Sequence, residues 1–200
     1  TSMLFRNLMS MDVEEMIRAQ PIDAVVLVGG CDKTIPALLM GAASAGKPAL
    51  AVVAGPMLSG SYKGEKIGAC TDCRRFWSSY RRGDYSRLEI DEIEKELVVT
   101  TGTCAVMGTA STMACIAEAM GMMLPGGATI PAVYAERMRH GEESGRKATQ
   151  LANNNVTLAD IMTPAAFDNA IRVLQAIGGS TNAVIHLFAI AGRLGVKLDL

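Results

Sequence analysis

A four-residue apolar run that stops at two glycines constrains this chain more than any other feature. Val25-Val26-Leu27-Val28 is rich in β-branched residues and reads as a short buried strand. Gly29-Gly30 closes it with a turn that lets the backbone approach a neighbour closely. Pro36 and Ala37-Leu38-Leu39-Met40 then open a helix, predicted over 34–45 and ended by Gly46. Residues 48–54 form a second strand, continuously apolar as in a sheet covered on both faces. Strand, helix and strand within about 30 residues make a βαβ unit with a right-handed crossover. The predicted class is α/β, with a mostly parallel sheet and helices on both faces.

Cys31, Asp32 and Lys33 sit side by side where the first strand ends. In open α/β sheets ligands collect beyond the carboxyl ends of strands. A soft thiol, a hard carboxylate and an amine are therefore delivered together to a candidate site. Each also has an ordinary reading: a small buried hydrophobe for Cys31, a helix N-cap for Asp32 and a solvated amine for Lys33.

Composition narrows the partners. Net charge is −1, so no strong field favours nucleic acid, and none is expected as a partner. No apolar run reaches the roughly 18 residues of a membrane span, and no signal peptide precedes Arg6 and Asn7, so no membrane is expected either. Five cysteines in no small-scaffold pattern suggest free thiols in a reducing cytoplasm. The chain begins inside a helical pattern at Thr1-Ser2 and ends at Lys197-Leu198-Asp199-Leu200 without a stop signal, so a segment of a longer protein is expected.

The remaining chain is predicted as follows. A helix over 2–20 places Leu4, Leu8, Met11 or Met16, and Ile17 on one face, with Arg6, Asp12, Glu14 and Glu15 opposite. Residues 55–72 form a long Gly- and Ser-rich loop. Cys70-Thr71-Asp72-Cys73 invites a metal or redox reading, but no second C-x-x-C completes a zinc site, and Arg74-Arg75-Phe76-Trp77 favours a helix entry. A charged amphipathic helix covers 89–99. Cys104 lies in a Gly-Thr turn before an Ala- and Met-rich helix, whose dipole would favour a thiolate; Cys115 inside that helix reads as core. Gly141 and Gly145 are expected to break a helix over 131–151, and Thr163-Pro164 caps one over 165–177. Gly178-Gly179-Ser180-Thr181-Asn182 precedes a buried helix over 183–191, as a Ser/Thr cap or as an anion site. His186 reads as a satisfied core histidine and His140 as exposed.

Cys31 and Cys104 each stand at a Gly-rich turn that opens a helix, and both turns could meet at one end of a sheet. Two thiolates, with a third from outside the chain, would bind an iron–sulfur cluster with one iron left open, and Asp32 beside it could hold Mg²⁺.

Gly29-Gly30-Cys31-Asp32-Lys33-Thr34, Gly55-Pro56-Met57, Gly102-Thr103-Cys104-Ala105-Val106-Met107-Gly108-Thr109 and Gly178-Gly179-Ser180-Thr181-Asn182 resemble the dihydroxy-acid and sugar-acid dehydratase family. That family includes dihydroxy-acid dehydratase of branched-chain amino-acid synthesis, phosphogluconate dehydratase and the pentonate dehydratases. The resemblance runs along essentially the whole chain, and Cys70-Thr71-Asp72-Cys73-Arg74-Arg75-Phe76-Trp77 leans toward the sugar-acid branch. It implies that 1–200 is part of one α/β iron–sulfur- and Mg-binding domain, with a β-barrel-like C-terminal domain outside the chain. Cys31 and Cys104 would ligate a [2Fe–2S] or [4Fe–4S] cluster. Asp32 would bind Mg²⁺, as would Lys33 in carbamate form, because an ammonium has no lone pair for a metal. The family's third cluster cysteine and one acidic ligand lie upstream; a further acidic ligand and the serine base lie downstream. The segment alone is therefore not expected to be competent. The implied activity is loss of water from a 2,3-dihydroxy carboxylic acid to give a 2-keto acid, in a homodimer or homotetramer. Two other readings stay open: a thiol–disulfide protein using Cys70 and Cys73, and a metal-free scaffold or interaction domain.

Overall fold

The computed structural model describes residues 2–199; Thr1 and Leu200, the two ends of the expected segment, lie outside the described residues. Its elements run α1 (Ser2–Ala19), β1 (Val25–Gly29), α2 (Thr34–Ala45), β2 (Ala49–Val53), β3 (Gly60–Tyr62), β4 (Glu65–Ile67), α3 (Thr71–Arg82), α4 (Arg87–Leu97), α5 (Thr109–Ala119), α6 (Ala135–Asn153), α7 (Leu158–Ile161), α8 (Pro164–Ala176) and α9 (Asn182–Arg193). Helix makes up 57% of the described residues, around a small parallel sheet, so the α/β class stands.

The βαβ unit forms as the apolar runs predict. β1 and β2 pair in parallel from Val25 opposite Ala49 to Gly29 opposite Val53. Every residue of β2 is buried, and Ala51 also donates its N–H to Met122 O at 2.7 Å. On one face Leu27 joins Ile35 and Leu39 of α2 in the main core, with Met113 and Ile116 of α5 and Phe167 of α8. Val26 and Val28 turn to the other face, toward α6. Gly46, in the left-handed region at φ 69°, ends α2 as expected.

Helix α1 corrects the amphipathic reading. Arg6, Ser10 and Ile17 are its buried residues, while Leu4, Leu8, Met11 and Met16 are each more than half exposed. The reason is close packing on α2. A Cβ at Gly41 would lie 2.7 Å from Ser10 O and 2.8 Å from Val13, so the smallest residue of α2 faces the narrow polar side of α1. Periodicity identified a stripe but not which stripe is covered.

Residues 55–72 are not merely a loop. They carry an antiparallel hairpin, with Gly60 opposite Ile67, and a second small core. Ile67, Phe76, Ile90, Ile93 and Leu97 are its buried members, with Tyr62 and Tyr85 edge-on to Phe76 at 5.9 and 5.6 Å. Strands of three residues are too short for alternation to register. α4 is held at its start by a capping box: Ser86 Oγ accepts from Glu89 N, and the Glu89 carboxylate accepts from Ser86 N. Ser86→Ala is expected to cost about 1 kcal/mol of stability, read as a lowered denaturation midpoint in the full-length protein.

α6 runs unbroken through Gly141 and Gly145, against expectation. Nothing lies within 4 Å of where their Cβ atoms would be, so both occupy an open helix surface. The helix is anchored instead by Arg137, whose Nη2 donates to Gly127 O at 2.7 Å. His140 is not exposed as expected; it is half-buried, with Nε2 3.2 Å from Leu124 O.

Candidate metal and cluster site at the sheet's carboxyl end

Cys31, Asp32 and Lys33 follow β1 directly. Cys31 O accepts from both Thr34 N (3.1 Å) and Ile35 N (3.3 Å), which tightens the chain into α2. Lys33 is the N-cap residue, and its side chain makes no capping bond. Asp32 is not the cap either. Its Oδ2 accepts from Lys33 Nζ at 2.7 Å, and its Oδ1 lies 3.5 Å from Cys31 Sγ. Burial alone would raise the Asp32 pKa. The hydrogen bond and charge of Lys33, with the Cys31 thiol, outweigh it and hold the carboxyl below its ordinary value. The side chains are thus free of helix capping and turned on one another.

Cys104 reaches the same place by another route. Beyond β2, Ala54 N donates to Gly29 O at 2.7 Å, so the pairing with β1 continues past the strand. Thr103 N then donates to Gly55 O and Met57 N to Thr103 O, both at 2.9 Å, forming a parallel bridge between Pro56 and Thr103. Thr103 thereby pairs with the chain that runs on from β2. A Cβ at Gly30 would lie 2.7 Å from Thr103 Cγ2 and 2.8 Å from the Ala54 Cβ, so only glycine lets these backbones close. The residue before Cys31 therefore packs against the residue before Cys104.

The hairpin insert brings a third thiol that sequence reasoning assigned elsewhere. Cys70 stands at the start of α3, as the helix-entry reading expected, but its Sγ is 3.5 Å from Cys104 Sγ. Cys73 instead packs against the small aromatic core. Thiol crowding also corrects the dipole argument for Cys104. α5 begins only at Thr109, and the Cys104 thiol is pushed up, first by burial, then by Cys70 and by the charge of Cys31. An electropositive partner would reverse that balance.

The turn at 178–182 docks on the start of α5. Ser180 Oγ and Thr109 Oγ1 are 2.7 Å apart, and Ser180 N donates to Thr112 Oγ1 at 3.0 Å. Thr181 makes no side-chain cap; Ser180 Oγ accepts from Asn182 N at 3.3 Å. The hydroxyls thus tie α9 to α5.

Behind Lys33, His186 is fully buried, as expected, but only half satisfied. Arg6 Nη1 lies 3.1 Å from Nδ1; a guanidinium can only donate, so Nδ1 accepts and Nε2 carries the proton. Nε2 is buried with no hydrogen-bond partner among the described residues. Burial first, then the charges of Lys33 and Arg6, lower the His186 pKa to about 4, against a smaller opposing effect of Asp32. The unfolded chain therefore binds a proton that the folded chain refuses between pH ~6.5 and ~4. Stability from this residue is complete above the upper value and falls as pH drops, by up to ~3 kcal/mol. Full-length His186→Asn, which retains an acceptor for Arg6, is expected to lose less stability than the parent when unfolding is followed from pH 7 to 4.5.

The order of these parts is that of a known family. The sequence matches the N-terminal region described as Dihydroxy-acid/6-phosphogluconate dehydratase over residues 1–200. The chain belongs to that family. It is 53% identical over 200 residues to an L-arabonate dehydratase of Azospirillum brasilense and 50% identical over 200 residues to an L-arabinonate dehydratase of Rhizobium leguminosarum bv. trifolii. It is 43% identical over 202 residues to a dihydroxy-acid dehydratase of Halothermothrix orenii. Each match covers 100% of this chain and 34–36% of the relative, so the chain spans about a third of the length of the relatives it matches. No helix among the described residues is long and apolar enough to cross a membrane.

The donor chemistry at the sheet end suits two kinds of metal. The Cys104 thiol, pushed up by burial and by the neighbouring Cys70 and Cys31, suits iron, which would stabilise its thiolate. A carboxylate 2.7 Å from an amine suits a hard cation once that amine is a carbamate, because two adjacent anions need a cation between them. Among the described residues no three His, Cys, Asp or Glu side chains form a complete metal-binding group.

Proposed function

We propose that the full-length protein is an iron–sulfur- and Mg²⁺-dependent dehydratase that removes water from a 2,3-dihydroxy carboxylic acid to give a 2-keto acid. The observation that carries the reading is the packing of Gly30 on Thr103, which sets Cys31-Asp32-Lys33 beside Cys104. The names of the relatives supply the substrate class, and the higher identity to the arabonate dehydratases than to the dihydroxy-acid dehydratase favours a sugar acid.

In this reading Cys31 and Cys104 hold the cluster, while Asp32 and carbamylated Lys33 hold Mg²⁺. When bound, these groups supply Lewis-acid polarisation of the departing hydroxyl and of the substrate carboxylate. The reaction balances simply: the C2 proton and the C3 hydroxyl leave as water, and the enol tautomerises to the 2-keto acid. This chain's own residues prepare the site. Before carbamylation the Lys33 ammonium holds the Asp32 carboxyl below its ordinary pKa, so the carboxylate meets a cation as an anion without losing a proton first. The Gly29-Gly30 turn brings that anion and the two thiols to one edge. Fully buried His186, held as the Nε2–H tautomer, stays neutral and adds no cation to the edge where Mg²⁺ would sit. The base for the C2 proton is placed outside this segment, and the active form is proposed to be a homo-oligomer.

The test is iron and sulfide analysis of the full-length protein purified without oxygen, followed by turnover on a panel of pentonates, hexonates and branched dihydroxy acids. About two irons and two sulfides per chain, or about four of each, with pentonate turnover, are expected. Iron-free protein that remains so after reconstitution would overturn the reading.

A further inference from the structure

We propose that Cys70 and Cys104 form a reversible disulfide in the cluster-free protein, a modification that withdraws Cys104 from iron. The two sulfurs are 3.5 Å apart, against about 2.05 Å in a disulfide, so closure requires a movement of roughly 1.5 Å. Cys70 is exposed and can supply that movement by side-chain rotation. Its placement is built rather than incidental. Cys70 holds φ 77°, a backbone conformation costly for any residue with a side chain, and the hairpin and its aromatic core fix the start of α3 that carries it. The competing pairings are less well prepared. Cys73 packs against the small core, and Cys31 Sγ lies against Asp32 Oδ1 at 3.5 Å.

The chemistry balances with a hydroperoxide as oxidant. The exposed Cys70 sulfur attacks the peroxide, the O–O bond breaks, and Cys70 becomes a sulfenic acid with release of water. Cys104 sulfur then attacks Cys70 sulfur, expelling hydroxide, which leaves as a second water with the thiol proton. Two thiols give up two electrons, and one hydrogen peroxide becomes two waters. A dithiol reverses the step by exchange. The disulfide keeps Cys104 from irreversible sulfinic oxidation while the site is empty. That it also blocks loading rests on the cluster reading above.

The experiment uses full-length protein stripped of iron under reduction, then treated with one equivalent of hydrogen peroxide. Remaining thiols are alkylated, peptides are mapped without reduction, and iron uptake is measured before and after dithiothreitol. The expected result is a Cys70–Cys104 peptide that dithiothreitol removes, with iron uptake lost on oxidation and restored on reduction. Cys70→Ser should form no such link, take up iron like the parent when reduced, and show Cys104 as sulfinic acid when excess peroxide is supplied, because that state needs two equivalents. A Cys70–Cys73 or Cys31–Cys104 link, or no link, overturns the proposal. A Cys70–Cys104 link in a protein that takes up no iron even when reduced upholds the disulfide and overturns the cluster reading instead.

Discussion

Full-length protein carrying Cys104→Ser is expected to purify without iron or sulfide and to lose turnover by at least about a hundredfold, the upper range for merely disturbing a metal's outer shell. A serine hydroxyl occupies nearly the same space but is neither soft nor ionised at neutral pH, so it does not replace a thiolate on iron. The fold should be spared. Thr103 holds its place through backbone bonds to Gly55 and Met57, and those do not involve the Cys104 side chain. Cys31→Ser should behave in the same way. Cys115→Ser is the control: that thiol is partly buried against the main core in α5, and iron and turnover should persist. Iron and sulfide per chain, the visible spectrum and the turnover rate decide the matter together. Full dehydratase activity in Cys31→Ser or Cys104→Ser would sink the assignment.

Gly102→Ala should abolish iron binding without removing any ligand. Gly102 holds φ 130°, a region that residues with side chains rarely adopt, at a cost of about 1–3 kcal/mol. Its Cβ would also lie 2.5 Å from Met57 N, 2.7 Å from Pro56 C and 2.9 Å from Met57 Cα. These are backbone atoms and cannot rotate away. The substitution therefore pushes apart the Pro56–Thr103 bridge, whose two hydrogen bonds contribute about 1 kcal/mol each. A total destabilisation of at least ~3 kcal/mol is expected, with Cys104 displaced from Cys31. Gly141→Ala on the open surface of α6 gives the contrast: better helix propensity, a gain of up to ~1 kcal/mol, and unchanged iron content. Chemical denaturation and iron analysis on both variants separate loss of the bridge from a general intolerance of glycine replacement. A Gly102→Ala protein with full iron and parental stability would contradict the role given to this turn.

Much of the site's chemistry was legible because it is local. The run from Val25 to Pro36 carries its strand, its turn and its three side chains within one stretch, and local apolar patterning decided α2 and β2 as well. The small residues around Cys104 marked a second turn by composition alone. Failures occurred where a residue's neighbours come from far along the chain. Arg6 is buried because His186 lies opposite it, 180 residues away. The hairpin at 60–67 exists because Phe76, Ile90 and Ile93 cover it. Cys70 and Cys73 looked like a pair because they are close in sequence, yet the helix start turns them to different neighbours.

The sequence by itself determined the βαβ unit, the presence of Cys31, Asp32 and Lys33 at its end, and membership of a dehydratase family. Strand and helix periodicity and the order of chemical groups are properties of the chain alone. Only the tertiary structure decided that Thr103 bridges to Pro56 beyond β2, that Gly30 packs on it, and that Cys70 arrives as a third thiol. Those outcomes depend on backbone surfaces closing over one another at glycine, and no window of sequence contains both sides of such a contact.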